Sequence, residues 1–191
     1  AHEAPGPVTS TETFTTADSE TLGGDNAWTE GGIAAGEWQI VTNRARLSEP
    51  PTGDQAWARC DVDVATFDFD VVCTMVTCRK SGTPVAWGIQ GGPAGRQSST
   101  VLNNLYTFRT IDDDVPRIEH RLTKFLNGVG TAIGSLDATD PANGQTSGLR
   151  CDGSTITGYI NGSPSANATG TDTELSGKRG GIWGICDSTL T

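Results

Sequence analysis

The sequence predicts an all-β protein built as a two-sheet antiparallel sandwich. Three observations predict it. The first is composition: Gly supplies 25 of the 191 residues, Thr, Ser and Asp are frequent, and good helix formers are few. The second is alternation. Ile156, Gly158 and Ile160 share one parity while Thr155, Thr157 and Tyr159 share the other, the pattern of a strand with one buried face. The third is turn chemistry. Asp152-Gly153, Asn161-Gly162 and Asn127-Gly128 are the dipeptides that most readily adopt the positive φ angles of a type I′ hairpin turn. Gly148 to Gly184 is therefore read as one antiparallel meander, with the other segments as its partners.

A chain of this length is expected to form one domain and to bury about 70% of its unfolded surface without a disulfide or metal. Lys and Arg number 13 against 23 Asp and Glu, a formal charge of −10. That balance opposes nucleic-acid binding, which needs cations at the phosphates, and opposes anionic membranes. No apolar stretch approaches the roughly 18 residues of a membrane span. The N-terminus lacks the basic and apolar regions of a signal peptide, so a signal has been removed or the chain is made in the cytosol. Cys60, Cys73, Cys78, Cys151 and Cys186 make an odd set without Cys-x-x-Cys. Cys60, Cys73 and Cys151 sit in apolar alternations and read as small buried hydrophobes, which favours a reducing compartment.

In chain order, residues 1–10 hold two prolines and a glycine and read as an extended arm, either frayed or docked on a neighbouring subunit; residues 11–191 form the sandwich. Gln55 to Asp63 is predicted as a strand with Ala56, Ala58, Cys60 and Val62 on one side. Phe69 to Arg79 and Val85 to Gln90 are two more. Gly91 to Ser99 is a loop by composition. Asn104 to Arg109 resumes β-forming residues, Asp112 to Asp114 is a surface turn, and Arg117 to Leu126 alternates again. Val129 to Leu136 follows its hairpin turn, and Asp140 to Gln145 is a loop.

Both chain ends carry a resemblance. Phe14-x-x-Ala17-Asp18-Ser19-x-x-Leu22-Gly23, then Trp28-Thr29-Glu30, then Gly36-x-Trp38-x-Ile40-Val41-x-Asn43-x-Ala45-Arg46 resembles the opening of laminin-G-like, concanavalin A-like jelly-roll domains. Asp152-Gly153-x-Thr155-Ile156-x-x-Tyr159-x-Asn161-Gly162, followed by Asp172-Thr173, Leu175 and Gly181-Ile182, is similar to their closing part. Thr16 stands where family members often carry Arg, so an ion pair made by that Arg is not expected here. The resemblance implies a jelly roll whose first and last strands lie side by side. It says little about function, because the family serves lectins, glycosidases, adhesins and phage virion proteins alike.

The residues give no catalytic set. A retaining glycosidase needs two carboxylates about 5–5.5 Å apart. Asp61/Asp63 and Asp68/Asp70 have strand spacing but no Glu at the needed offset, and they read as polar outer faces. Only His2 and His120 could serve a triad; His2 lies in the arm and His120, between Glu119 and Arg121, reads as a surface residue. No zinc spacing and no phosphate-cradling glycine loop occur. No cofactor is expected; calcium on Asp112, Asp113 and Asp114 is the alternative. Trp38 and Trp183 read as core, whereas Trp87, beside the glycine-rich segment, is the indole placed for a ligand. The ligand candidates are Trp87, Arg96, Asp112 and Asp114.

The expected function is a non-catalytic structural or adhesive subunit exposed on a phage virion, as capsid decoration or tail or fibre component. The expected partners are other virion subunits in a symmetric or homo-oligomeric assembly and a host-surface glycan, with no nucleic acid and no membrane insertion. The virion context follows from the family resemblance. The rival reading is a carbohydrate-binding module of a bacterial surface or secreted protein.

Overall fold

The computed structural model describes residues 22, 26–32, 38–40, 45–47, 55–64, 68–74, 89–113, 117–139, 142 and 144–185. Among these there are thirteen strands and no helix. They are β1 (Trp28–Gly32), β2 (Trp38–Ile40), β3 (Ala45–Leu47), β4 (Gln55–Cys60), β5 (Phe69–Thr74), β6 (Ile89–Gln97) and β7 (Leu105–Asp113). They continue with β8 (Arg117–Leu126), β9 (Val129–Ala132), β10 (Thr146–Asp152), β11 (Thr155–Ile160), β12 (Ser163–Thr171) and β13 (Arg179–Ile185). A seven-stranded sheet runs β1-β4-β13-β6-β7-β8-β9, a four-stranded sheet runs β12-β11-β10-β5, and β2-β3 form a hairpin. Every pairing is antiparallel. The predicted two-sheet sandwich is the fold found.

The core lies between the two large sheets. Tyr106, Phe108 and Leu122 from the seven-stranded sheet meet Leu149, Cys151, Ile156 and Ala168 from the four-stranded one. Each large apolar side chain buried there contributes about 1.5–3 kcal/mol. The fit is close: a Cβ at Gly158 would collide with the Phe108 ring, so the strand predicted from alternation needs glycine at that parity. Cys151 is fully buried and burial pushes its thiol up to about 12. Cys60 and Cys73, expected to be buried, are half-buried, Cys60 at the end of β4 and Cys73 on the edge strand β5; none of the three cysteines is in a disulfide.

Two of the three turns are as expected. Asn127 and Gly128, and Asn161 and Gly162, both have positive φ between directly paired strand ends. At the third, Asp152 pairs with Thr155, so the two-residue loop is Gly153-Ser154 and only Gly153 has positive φ. That is the requirement of a type II′ turn, which asks for glycine at its first central position.

Four expectations are corrected. The meander stops after β12. β13 crosses to the other sheet, where it lies between β4 and β6, one strand removed from β1. The composition-based loop Gly91 to Ser99 is mostly strand β6, in the interior of the seven-stranded sheet. Its small residues are needed by close neighbours: a Cβ at Gly92 would strike the Phe108 carbonyl, and one at Gly95 would press on Leu149. Asp112 and Asp113 extend β7 instead of turning the chain. His120 is not a surface residue: it is fully buried, on the parity of Leu122 that faces the core. The arm, Phe14, Trp87, Asp114, His2, Cys78 and Cys186 lie outside the described residues.

Candidate functional site

Side chains alternate across a strand, so each strand that feeds the inter-sheet core also feeds the opposite face of its sheet. On the seven-stranded sheet that outer face has an aromatic floor. Trp57 of β4 and Trp183 of β13 are direct register partners. The Trp183 ring stacks on Phe125 of β8 with centroids 5.1 Å apart. Ala94 and Leu105 fill the gaps, with Leu102 packed against them.

Polar groups stand beside this floor. Thr107 faces Thr123, Arg109 faces Arg121 and Ile111 faces Glu119 across the β7–β8 ladder. Arg121 donates to Glu119 at 3.0 Å. The Arg109 guanidinium lies 5.5 Å from the Trp183 ring centroid, within cation–π range. Gln97 belongs to the same face, because a Cβ built at Gly181 would touch its Oε1. The hydroxyls of Thr107 and Thr123, the indole N–H of Trp183, Nε of Arg121 and both amide atoms of Gln97 are buried without a hydrogen-bond partner. Thr107, Thr123 and Trp183 are only 0%, 1% and 1% exposed. A buried polar group left unpaired costs about 1–3 kcal/mol, and folded proteins keep few of them. Here they collect on one face, next to stacked aromatic rings. The rings are closed off as well, with Trp57, Phe125 and Trp183 at 8%, 3% and 1% exposure, so a polyhydroxylated ring would find its aromatic plane, donors and acceptors here only where the cover over this face opens.

The inner face differs. His120 Nδ1 lies 3.0 Å from Thr110 Oγ1 and Nε2 lies 3.1 Å from Gln145 Nε2. An amide nitrogen donates, so Nε2 accepts and Nδ1 carries the proton that goes to Thr110. Burial lowers the His120 pKa, partly offset by Asp137. Asp137 bonds the His120 backbone in both directions, and its carboxylate accepts from Ser165 at 2.5 Å. Ser165 meets Asp137 and not the imidazole, so this trio lacks the serine–histidine bond of a nucleophilic triad. Tyr106 donates to Asp172 at 2.5 Å, and Lys124 joins the same carboxylate at 2.6 Å.

An open pocket of about 460 Å³ lies at one rim, lined by residues that include Asp63, Arg96, Ser98, Asn104, Glu174 and Arg179. Arg96, a ligand candidate from sequence, is 2% exposed and has a φ of 49°. Its guanidinium donates to Asp68 at 3.1 Å and to the Gly153 carbonyl at 2.5 Å, tying β6 to the β10–β11 turn. Asp112 is backbone in β7 directly opposite Ile118. No three or more His, Cys, Asp or Glu among the described residues group in a way that could hold a metal.

The aspartates weighed as a glycosidase pair are all engaged. Asp61 accepts from Arg59 at 2.8 Å, from Arg179 at 2.7 Å and from Thr29. Burial would raise its pKa, but these donors outweigh it and hold the carboxyl below its usual range. Asp63 accepts from Arg179 at 2.6 Å. Asp70 takes a bidentate pair from Arg150 at 2.8 and 2.7 Å. Arginine holds the Asp61 and Asp63 carboxyls below their usual range, the opposite of what an acid catalyst needs.

The outer-face residues Gln97, Thr107, Thr123 and Arg121 were not singled out by the sequence. Parity along β7 was readable from Tyr106 and Phe108, but the pairing of Thr107 with Thr123 requires the ladder register, which one sequence does not carry.

No family model matches the chain, and no curated protein matches it. Solved structures do. The carbohydrate binding module CBM66 from Bacillus subtilis is 14% identical with a TM-score of 0.61, over 85% of this chain and 89% of its own. A Bacillus licheniformis beta-glucanase is 12% identical with a TM-score of 0.53, over 94% of this chain and 86% of its own. The exoplasmic/lumenal domain of VIP36, in a Ca2+/Man2-bound form, is 9% identical with a TM-score of 0.50, over 94% and 81%. At these identities the likeness establishes the fold: a concanavalin A-like jelly-roll sandwich.

Proposed function

We propose that the chain is a non-catalytic glycan-binding domain of the carbohydrate-binding-module kind, working outside the cell, and that sugar is held on the outer face of its seven-stranded sheet. One observation carries this: unpartnered buried hydroxyl, amide and indole groups sit beside the Trp57–Trp183–Phe125 floor. Fold neighbours named for carbohydrate binding accord with it. The carboxylates once weighed for hydrolysis are locked in ion pairs, which favours binding over turnover. The virion subunit expected from the family resemblance, with its symmetric assembly, gains no support from the comparisons and gives way to this rival. A bound cation is not part of the proposal.

Glycan-array binding of the intact chain, followed by calorimetry on the best hit, tests it. Thr107→Val with Thr123→Val is expected to weaken binding at least tenfold while the circular dichroism spectrum stays that of a β protein. Unchanged affinity in the double variant would move the site elsewhere. Release of reducing ends from a bound polysaccharide would show that the domain is an enzyme.

A further inference from the structure

The open pocket at the rim of the sandwich has a lining that neither the core nor the outer face accounts for. Its volume of about 460 Å³ falls within the roughly 300–1,000 Å³ range of ligand sites. The β6–β7 and β12–β13 loops form most of its wall, and Asp63, just past β4, completes it. Among the described residues no aromatic ring lines it, and Leu175 is its one apolar side chain. A ligand here is therefore held by hydrogen bonds, and the wall has them to spare. Asp63 Oδ1 accepts from Arg179 Nε at 2.6 Å, which leaves Oδ2 unused. Glu174 Oε2 accepts from Lys124 at 2.7 Å, which leaves Oε1 unused. Asn104 Oδ1 accepts the Asn127 amide at 2.6 Å, which leaves both hydrogens on its Nδ2. The Ser99 and Ser176 hydroxyls have no partner among the described residues. Lys178 Nζ makes no hydrogen bond or ion pair there, and its charge reaches Asp63 only through space. Unlike the sealed groups of the outer face, these are open to solvent. The Asp63 and Glu174 side chains are 63% and 50% exposed, and Ser99, Ser176 and Lys178 are exposed too. Both carboxylates are held by basic partners before anything binds, so less freedom is lost on contact.

We propose that this pocket is a second sugar site, taking a neutral sugar unit through its hydroxyls. This rests on the glycan-binding reading above and names the kind of unit held and an open place to hold it. A hydroxyl both donates and accepts. Asp63 and Glu174 as acceptors, with Lys178 and Asn104 as donors, serve the two roles of neighbouring hydroxyls in one pocket. An anion would meet two carboxylates here, and a cation would meet Lys178 and Arg179, so a neutral group suits the mixed lining better than either. The pocket also adjoins the outer face. Trp57, Arg59 and Asp61 share a parity, and Arg179 joins Asp61 at 2.7 Å to Asp63 at 2.6 Å. From Trp57 to Asp61 is on the order of 13 Å of extended chain. One oligosaccharide therefore reaches both the pocket and the aromatic floor.

The test uses the full chain and four probes: neutral gluco-, manno- and galacto-oligosaccharides and an oligouronate. Binding is measured by calorimetry at about 50 and 500 mM salt, where screening lengths differ about threefold. At least one neutral probe is expected to bind, more tightly than the oligouronate, with an affinity that changes less than about threefold between the two salts. Ser176→Trp puts bulk on an exposed wall residue and is expected to weaken that binding at least tenfold. Lys178→Ala removes a donor the fold does not use, and is expected to weaken it about tenfold with the melting temperature unchanged. It also serves should the tryptophan variant fail to fold. Full affinity in Lys178→Ala and in folded Ser176→Trp overturns the rim site; if Thr107→Val with Thr123→Val still weakens the same probe, the glycan reading stands without it. Tighter binding of the oligouronate, or a fall of about tenfold at high salt, overturns the neutral assignment. No binding by any neutral probe overturns the rim site, and a blank glycan array alongside it overturns the glycan reading as well.

Discussion

The two faces of the seven-stranded sheet are made by the same strands and obey opposite rules. On the inner face every buried polar group described above has a partner: His120 has Thr110 and Gln145, and Tyr106 has Asp172. On the outer face Thr107, Thr123, Trp183 and Gln97 have none. Strand sequence alone does not separate them, since Thr107 and Thr110 are both threonines on β7 and both are buried. The difference is what each face was shaped to meet. The inner face meets a second sheet that supplies acceptors and donors. The outer face is covered as well, since Thr107, Thr123 and Trp183 are only 0–1% exposed, but its cover gives these groups no partner, which is why a ligand is read there and not in the core.

The largest effect belongs to the inner face. Phe108 is fully buried, stacks on His120 at 5.4 Å and sits over Gly158. Phe108→Ala leaves a cavity between the sheets, expected to cost about 3–5 kcal/mol. For a domain of this size that is a fall in melting temperature on the order of 10 °C. A loss under about 1 kcal/mol in chemical denaturation would mean that the sheets do not depend on this contact, and the inner face would lose its claim to be the core.

Much of this division was legible beforehand, and the failures have physical causes. The Asn127-Gly128 and Asn161-Gly162 hairpins were readable because a local turn needs only local residues. Strand β6 was not, since Gly91-Gly92-Pro93-Ala94-Gly95 looks like a loop unless one knows that Phe108 and Leu149 press against it. His120 was misread for a related reason. Between Glu119 and Arg121 it looks polar in every direction, but its burial is fixed by Thr110 across the ladder and by Gln145 from a distant loop. The site was less legible than the fold, because Thr107, Thr123, Arg109 and Arg121 become a group only through register.

The histidine gives a smaller, pH-dependent test of the inner face. Thr110→Val removes the acceptor of the His120 Nδ1–H and leaves that donor buried, at an expected cost of about 1–3 kcal/mol. The wild-type chain should also lose stability as pH falls. His120 has a depressed pKa in the fold and an ordinary one, about 6.5, when unfolded. The unfolded state therefore takes up a proton first, and stability declines below about pH 6.5 down to the folded pKa. Asp137 and Asp172, whose pKa values are lowered, contribute stability above their unfolded values and lose it only in stronger acid, so their effect falls below that window. Urea midpoints measured between pH 7 and 5 should slope downward, and His120→Gln should flatten that slope. A flat wild-type profile would mean that the histidine gains its proton without strain.

The smallest effect is the most diagnostic, because its sign is reversed. Thr123→Val on β8 is the same chemical change as Thr110→Val on β7, made on the other face. Thr123 has no partner to lose, and valine fills nearly the same space in a residue that is 1% exposed. Removing a hydroxyl that was desolvated without compensation should raise stability, by up to about 1 kcal/mol. That corresponds to a melting temperature higher by about 2–4 °C. The same variant should bind glycan more weakly, since the hydroxyl it lacks is one the ligand would use. A gain in stability with a loss of binding is the signature of a group kept for function at the expense of the fold. If Thr123→Val instead destabilises as Thr110→Val does, the hydroxyl has an acceptor in solution, and the two faces differ less than their hydrogen bonds indicate.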